Sequence, residues 1–449
     1  MLVEWRASGR EVAVLGLGRS GVAATRLLLA REIPVYASEA ARTPDLEART
    51  RGLVELGAAV QLGGHDLARI RRAVAVVVSP GIPPDAAPLA AARAAGVPVH
   101  AELDVGYVAL PDTHCIGITG TNGKTTTTAL VAHLLKAAGY RARAAGNIGT
   151  PLCEVALESR AYDWLAVEVS SFQLHDMSHF RPAVGVLTNL APDHLDRYPS
   201  MEAYYADKAR LFLNATPDSV WVTNADDPAV QEMAAAAPGR HLRFSVRAPA
   251  DGWYDRTRAG LMLDSGLLIE RGELHLLGDH NVGNALVAAL AVRAAGAAAR
   301  ALAAGLRSFR PLPHRLEPVR EVDGVLWIND SKATNVASTE VALDAVDRPY
   351  ILLLGGRHKG EPYTRLAERM QGRCRAVVAY GEAAPIVDQD LGPRVRVIRG
   401  GDFDDVIGRA RALAQAGDAV LLSPACSSYD MFRNYEERGA RFRAAVEAM

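Results

Sequence analysis

Residues 120–126 read Gly120-Thr121-Asn122-Gly123-Lys124-Thr125-Thr126, starting at the last residue of the apolar run CIGITG and preceding the helical stretch TTALVAHLLKAAGY. A glycine turn between a strand and a helix lets backbone N–H groups and the positive end of the helix dipole face a phosphate. A lysine there adds a point charge, and a threonine hydroxyl can ligate Mg²⁺. These residues therefore suit phosphate binding and phosphoryl chemistry. Residue 118 is Ile, so the glycine-to-lysine spacing is shorter than in the common GxxxxGK[ST] loop. A second turn, Gly16-Leu17-Gly18-Arg19-Ser20-Gly21, follows the run EVAVL and opens another helix, which suits a phosphate or diphosphate. The dinucleotide version of that turn expects an acidic residue closing the next strand. Glu39 is only loosely placed for it, and a nucleotide sugar fits as well as NAD.

The elements around these turns alternate short Val-rich runs with Ala- and Leu-rich helical stretches. Strands buried on both faces of a parallel sheet read in this way. EVAVLGLG, IPVYAS and AVAVVVSPG belong to a first such segment, and CIGITG, WLAVEVSS, AVGVLTNL and SVWVTN to a second. VLWIND, YILLLGG, AVVAYG and AVLLSP belong to a third. The prolines at 311 and 313 resist helix and mark a linker. At about 150 residues per domain the length also points to three domains. The expected fold is α/β throughout: a Rossmann-like domain over 1–103, a central P-loop ATPase-like parallel-sheet domain over 104–311, and a Rossmann-like domain over 312–449.

With 50 basic and 51 acidic side chains, nothing global draws the chain to nucleic acid or to an anionic membrane, so any anionic ligand must be held locally. The four cysteines form no CxxC pair, which fits a reducing cytoplasm better than a disulfide framework or a zinc knot. No run of roughly 18 apolar residues suggests a membrane span. The chain is expected to act in the cytoplasm as a monomer.

Beyond these readings, GTNGKTT after an apolar strand resembles the ATP loop of the Mur ligases and the related folylpolyglutamate synthetases. Further motifs match in order: Asn147-Ile148-Gly149, Glu168 to Gln173, Thr188-Asn189, Asp193-His194-Leu195-Asp196-Arg197, Lys208, His280-Asn281-Val282-Gly283-Asn284, Pro313-His314-Arg315, Asn329 to Asn335, and Ser423 to Asp430. The last two look like the branch that adds D-glutamate. A folylpolyglutamate synthetase carries its ATP loop near its own start, whereas about a hundred residues of α/β pattern, including Ser79-Pro80-Gly81, precede it here.

The resemblance implies an ATP- and Mg²⁺-dependent ligase that joins D-glutamate to UDP-N-acetylmuramoyl-L-alanine through an acyl phosphate, in cell-wall synthesis. It implies ATP contacts from Gly120 to Thr126, from Asn281 and Asn284, and from Arg315 and Asp330. Metal ligation falls to Thr125, Glu168, His194 and a carbamylated Lys208, and catalysis to Lys124, Glu168, His194, Lys208 and Lys332. Substrate contacts are implied for Arg19, Ser20, Ser79, Gly81, Asn147, Ser170, Thr334, Lys359, Ser428 and Tyr435. A carboxylate ending one strand and an imidazole beyond another can converge at the carboxyl edge of a parallel sheet. Asn281 and Asn284, at i and i+3, can share a helical face toward an adenine edge, or one of them can cap the helix. Tyr435 stands where many family members carry Phe.

Overall fold

The computed structural model describes residues 1–193 and 197–449. Among these, three sheets organise the chain. The first contains β1 (Val12–Leu15), β2 (Val35–Glu39), β3 (Ala59–Leu62), β4 (Ala75–Val78) and β5 (Val99–Ala101), in the order β3-β2-β1-β4-β5 and parallel throughout. VAVL of β1 and AVVV of β4 are buried along their whole length, as strands covered on both faces must be. Strand order reverses between β1 and β4, so the Gly16–Gly21 turn and the Ser79–Gly81 loop leave the sheet side by side. Open α/β sheets bind ligands at such a reversal.

The second sheet contains β6 (His114–Thr119), β7 (Ala142–Gly146), β8 (Trp164–Glu168), β9 (Val184–Leu187), β10 (Val220–Asn224), β11 (Arg240–Ser245), β12 (Gly252–Asp255), β13 (Gly260–Leu263) and β14 (Gly266–Glu270). Its order is β14-β13-β12-β11-β10-β9-β6-β8-β7. β6 lies between β8 and β9 with all three parallel, so the loops after these strands emerge together. The sheet is mainly parallel, as the sequence leads one to expect, and β13 alone among its described strands runs against the others, pairing antiparallel with β12 and β14. These short strands, each opened by a glycine, lack the continuous apolar signature of the parallel core.

The third sheet contains β15 (Glu317–Val322), β16 (Val325–Asn329), β17 (Tyr350–Gly355), β18 (Cys374–Tyr380), β19 (Val397–Arg399) and β20 (Ala419–Leu422), ordered β15-β16-β20-β17-β18-β19. Leu422 at the end of β20 is in register with Asn329 of β16 and Leu353 of β17. The loops that follow these three strands therefore rise from neighbouring positions. Only β15 runs antiparallel here.

The chain divides into two compact units, 1–273 with 283–308 and 274–282 with 309–449. Within the first, the helix Glu102–Val108 spans the expected boundary at residue 103 and packs into the core of the first sheet with Cys153. The backbones approach closely there: a Cβ on Gly106 would lie 2.6 Å from the amide nitrogen of Cys153. Residues 274–282, inside the range expected for the central domain, group with the second unit, where Leu277 packs on the core of the third sheet. Among the described residues, no helix is long and apolar enough to cross a membrane.

Candidate active site

In the first unit, the glycine turn after β6 leads into the helix Lys124–Ala137, whose N-terminus is capped by Gly123 at φ 80° without a capping side chain. The turn is fixed from the opposite strand end. Thr121 N donates to Asn189 O at 2.9 Å and Asn122 N to Asn189 Oδ1 at 2.9 Å, while Thr188 Oγ1 donates to Asn122 O at 2.7 Å. Gly120, at φ +142°, admits no side chain, since a Cβ would lie 2.0 Å from Thr188 Oγ1. The backbone is thus held in a form whose first-turn N–H groups can face an anion.

Two amines meet on this turn. Lys124 Nζ donates to Gly120 O at 2.9 Å and Thr121 O at 2.7 Å, and Lys208 Nζ donates to the same Gly120 O at 2.8 Å. Lys208 comes from the helix Met201–Ala209, is 1% exposed, and lies 4.6 Å from the centroid of the Tyr204 ring. Burial, and then the charge of Lys124, hold the Lys208 amine well below the usual lysine range.

Glu168 ends β8 and is buried. Its Oε1 accepts from Asn147 Nδ2 at 2.9 Å, while Oε2 has no hydrogen-bond partner among the described residues. A buried carboxylate oxygen of this kind fits a cation ligand, because an unsatisfied charge in the interior is costly. Thr125, in the first turn of the neighbouring helix, is half-buried. His194 lies outside the described residues. Ser170 is engaged structurally: it caps the helix Ser171–His175 in a reciprocal capping box with Gln173. The S-x-x-Q spacing carries that signal, which the motif match overshadows.

At the reversal of the first sheet, Ser79 Oγ donates to Gly16 O at 2.9 Å, and a Cβ on Gly21 would lie 1.7 Å from that same oxygen. Glu39 Oε2 accepts from Leu17 N at 2.9 Å, so this carboxylate braces the turn. Arg19 Nη2 donates to Gly149 O at 2.7 Å, tying the turn to the loop that carries Asn147. Ser20 is half-buried beside it and Gly81 is exposed. Asn284 is buried, and its Oδ1 accepts from Thr127 Oγ1 at 3.2 Å.

The second unit gathers its own set. Asp330 follows β16, is buried, and accepts from Leu316 N at 3.1 Å and Ser423 Oγ at 2.9 Å. Burial pushes its carboxyl up to about 7. Lys332 N donates to His314 O at 3.1 Å, so the Pro313-His314-Arg315 turn and the Asp330 loop are fastened together, with His314 at φ 64°. Lys332 Nζ donates to the Tyr435 hydroxyl at 3.1 Å and lies 5.0 Å from the centroid of its ring. Thr334 is half-buried, Ser428 buried and Lys359 exposed, on the loops after β16, β20 and β17. Asn281 Nδ2 donates to Leu277 O at 2.8 Å, and this residue groups with the second unit whereas Asn284 groups with the first.

Two residues that no sequence motif marks also bear on these sites. Asp207, next to Lys208, holds His175 Nδ1 at 2.9 Å and raises that imidazole above its ordinary range. Arg438, 0% exposed, donates to Ser331 Oγ at 3.0 Å, Ser331 O at 2.8 Å and Cys426 O at 3.2 Å, binding the loops after β16 and β20 to each other. Arg438 stands one turn before Phe442 and two turns before Val446 on the buried face of the helix Tyr435–Glu447, so the apolar spacing marks its face although an arginine does not itself signal burial.

Family models described as the MurD-like N-terminal domain of Mur ligases, the Mur ligase middle domain and the Mur ligase glutamate ligase domain match residues 10–101, 118–292 and 314–426. The chain is 43% identical to the UDP-N-acetylmuramoylalanine--D-glutamate ligase of Anaeromyxobacter dehalogenans, over 97% of each chain. It is 42% identical to the protein of the same name from Myxococcus xanthus, over 98% of this chain and 99% of that one. Among solved structures, the UDP-N-acetylmuramate-alanine ligase MurC of Thermotoga maritima shares the fold with a TM-score of 0.61 at 19% identity, over 98% of this chain and 99% of that one. MurF ligase of Thermotoga maritima in complex with ADP gives 0.61 at 17% identity, over 93% and 97%.

Proposed function

The chain belongs to the Mur ligase family, and from that premise we propose that it joins D-glutamate to UDP-N-acetylmuramoyl-L-alanine at the expense of ATP, releasing ADP and phosphate. The observation that carries the chemistry is the meeting of Lys124 and Lys208 on the Gly120 carbonyl, with a Glu168 oxygen at the end of the adjacent strand β8 that has no partner among the described residues. D-Glutamate as acceptor follows the named activity of full-length relatives.

A carboxylate is a poor electrophile and must first be activated. An oxygen of the alanyl carboxylate forms a bond to the γ-phosphorus while the bond from that phosphorus to the ADP oxygen breaks. The amine nitrogen of D-glutamate then bonds to the carbonyl carbon and loses a proton as inorganic phosphate departs. The turn amides of Gly120–Thr126 would cradle the phosphates, and Lys124, released from the Gly120 and Thr121 carbonyls, would steady the transferred charge. Glu168, Thr125, His194 and Lys208 would hold Mg²⁺, which neutralises phosphate charge when bound. Lys208 suits that role as a carbamate: its buried amine gives up its proton readily, and the neutral nitrogen can bond to CO₂ to supply an anionic oxygen.

In the second unit, Asp330 and Arg315 would meet the ribose and phosphates, Lys332 the transferring group, and Thr334, Lys359, Ser428 and Tyr435 the acceptor. A dianionic amino acid calls for such a set of cation and hydroxyl donors. Asn281 and Asn284 would serve the base. Arg19, Ser20, Ser79 and Gly81 would take the uridine diphosphate end of the acid substrate, with Asn147 and Ser170 nearer its carboxylate. ATP and nucleotide sugars are made in the cytoplasm, where we place the reaction, with the chain acting as a monomer.

Phosphate release with ATP, Mg²⁺ and UDP-N-acetylmuramoyl-L-alanine, compared across D-glutamate, L-glutamate and L-lysine, tests the reading. Turnover is expected with D-glutamate. Turnover with L-lysine in its place would overturn the acceptor, and full activity of Lys124→Ala would overturn the phosphate loop.

A further inference from the structure

We propose that His100, Asp104 and His179 form a site for a divalent transition-metal ion of the zinc class, separate from the phosphate loop, at the seam between the first sheet and the central domain. His100 lies in β5 and Asp104 in the first turn of the helix Glu102–Val108, while His179 follows the helix Ser171–His175. The sequence gives the trio no motif, since its third member is 75 residues beyond the second.

The geometry is close to that of a coordination shell. His179 Nδ1 lies 2.9 Å and His100 Nδ1 3.3 Å from Asp104 Oδ2, and the three ligating atoms all lie within 4.8 Å of one another. Ligands bonded tetrahedrally at about 2.0–2.1 Å stand roughly 3.3–3.4 Å apart, so the His100–Asp104 pair already has that spacing, while the His179–Asp104 pair would widen and the two imidazoles would adjust to complete three corners. Ser178 Oγ, 3.2 Å from Asp104 Oδ2 and 3.0 Å from His179 Nδ1, or a water, can fill the fourth.

Crowding at a single oxygen points the same way. Asp104 is fully buried, its Oδ1 takes the His179 amide at 2.9 Å, and its Oδ2 faces Ser178 N, Ser178 Oγ and both imidazole Nδ1 atoms. A carboxylate oxygen has about two lone-pair sites, which Ser178 N and Ser178 Oγ already fill, so each imidazole Nδ1 facing it is either a surplus donor or an opposed lone pair. A cation between Oδ2 and the two Nδ1 atoms removes that conflict: each imidazole carries its proton on Nε2 and offers Nδ1 as a lone pair. The amides of Ser178 and His179 already orient the carboxylate, as outer partners of a metal ligand do.

Two imidazoles and one carboxylate favour Zn²⁺, Co²⁺ or Ni²⁺ over Mg²⁺, which prefers oxygen. The half-exposed His179 ring leaves an entry path. Such an ion would fasten a seam already closed by Ala101 N to Asp176 O at 2.9 Å and by Arg93 to Asp176 at 3.0 Å.

Titration of the full chain with Co²⁺ under excess Mg²⁺ tests this. One equivalent is expected to give the visible ligand-field bands of four-coordinate Co²⁺, to quench Trp5, whose ring lies 5.4 Å from that of His100, and to be displaced by Zn²⁺. His179→Gln, at an exposed side chain, should weaken Co²⁺ binding by about 10–100-fold or more and remove the bands. Absence of those bands from the parent protein, or equal affinity in His179→Gln, overturns the site.

Discussion

Lys124 and Lys208 donate to one backbone oxygen, that of Gly120, from 2.9 and 2.8 Å. Two ammonium groups at that distance repel, and the buried one yields its proton first. A lysine whose folded-state pKa is depressed costs stability below that pKa, and the cost fades as pH rises toward the unfolded value. Converting Lys208 to a carbamate removes the repelling charge and reverses its sign. Activity should therefore fall when CO₂ and bicarbonate are stripped from the assay and return on adding bicarbonate. Lys208→Arg, which cannot form a carbamate, should lose at least the roughly 10–100-fold in activity that loss of even an outer partner of a metal ligand costs. Activity independent of bicarbonate combined with an active Lys208→Arg would contradict the carbamate.

Glu102 supplies a pH prediction unconnected to catalysis. Its Oε1 accepts from Cys153 N at 2.7 Å, Oε2 has no partner among the described residues, and burial pushes the carboxyl up to about 7. A raised carboxyl keeps its proton in the folded state while the unfolded chain loses it. Stability from this group is thus full below about pH 4.5, declines between about 4.5 and 7, and is level above. Glu102→Gln keeps the acceptor and deletes the titration. Chemical denaturation at pH 5 and pH 8 should show the variant gaining on the parent by a few kcal/mol, since each tenfold difference in proton affinity between the folded and unfolded carboxyl is worth about 1.4 kcal/mol. A constant difference between the two pH values would count against a protonated Glu102.

Two glycines of one turn should behave oppositely. A Cβ on Gly21 would lie 1.7 Å from Gly16 O, whereas one on Gly18 would meet nothing within 4 Å. Gly21→Ala should destabilise the first sheet by about 1–3 kcal/mol or more, measured by thermal unfolding, because the obstructing atom is backbone. Gly18→Ala should unfold at the parent temperature yet raise KM for the UDP substrate, since that open space is where the diphosphate is expected to approach. An unchanged KM would move the diphosphate elsewhere.

The Tyr435 hydroxyl is the acceptor for Lys332 Nζ at 3.1 Å. Tyr435→Phe retains the ring beneath the ammonium and removes one hydrogen bond. A several-fold drop in kcat at unchanged melting temperature is expected, from a charged-group bond of about 1.5–3 kcal/mol that is only partly lost. Wild-type kinetics would mean that Lys332 is positioned by its other neighbours.

The strands and the phosphate loop were legible because each is local: Val-rich runs imply buried parallel strands, and GTNGKTT carries its own helix start. The hairpins of β12–β14 were not, since short strands opened by glycine lack that apolar run. Nor was the grouping of Leu274–Val282 with the second unit, which depends on where Leu277 finds a hydrophobic partner. Burial of charge was the largest omission. Neither Lys208 nor Arg438 has a local partner in sequence for its charge, yet each is enclosed because carbonyl oxygens distant in sequence accept its protons.

Arg438 gives the sharpest test of how the acceptor loops are held. Its guanidinium reaches the hydroxyl and carbonyl of Ser331 and the carbonyl of Cys426, so one side chain sets the spacing between the loop of Lys332 and Thr334 and the loop of Ser428. A planar fork with donors on three nitrogens can span both loops, and a lysine ammonium cannot. Arg438→Lys should keep the charge and lose the span, raising KM for D-glutamate by about tenfold or more while KM for ATP stays within about twofold, a difference of roughly 1.4 kcal/mol. Arg438→Met should also lower the melting temperature, because it leaves the Cys426 carbonyl without these donors. Were Arg438→Lys to change the two KM values alike, the arginine would be a support of the whole unit rather than the residue that spaces the acceptor loops.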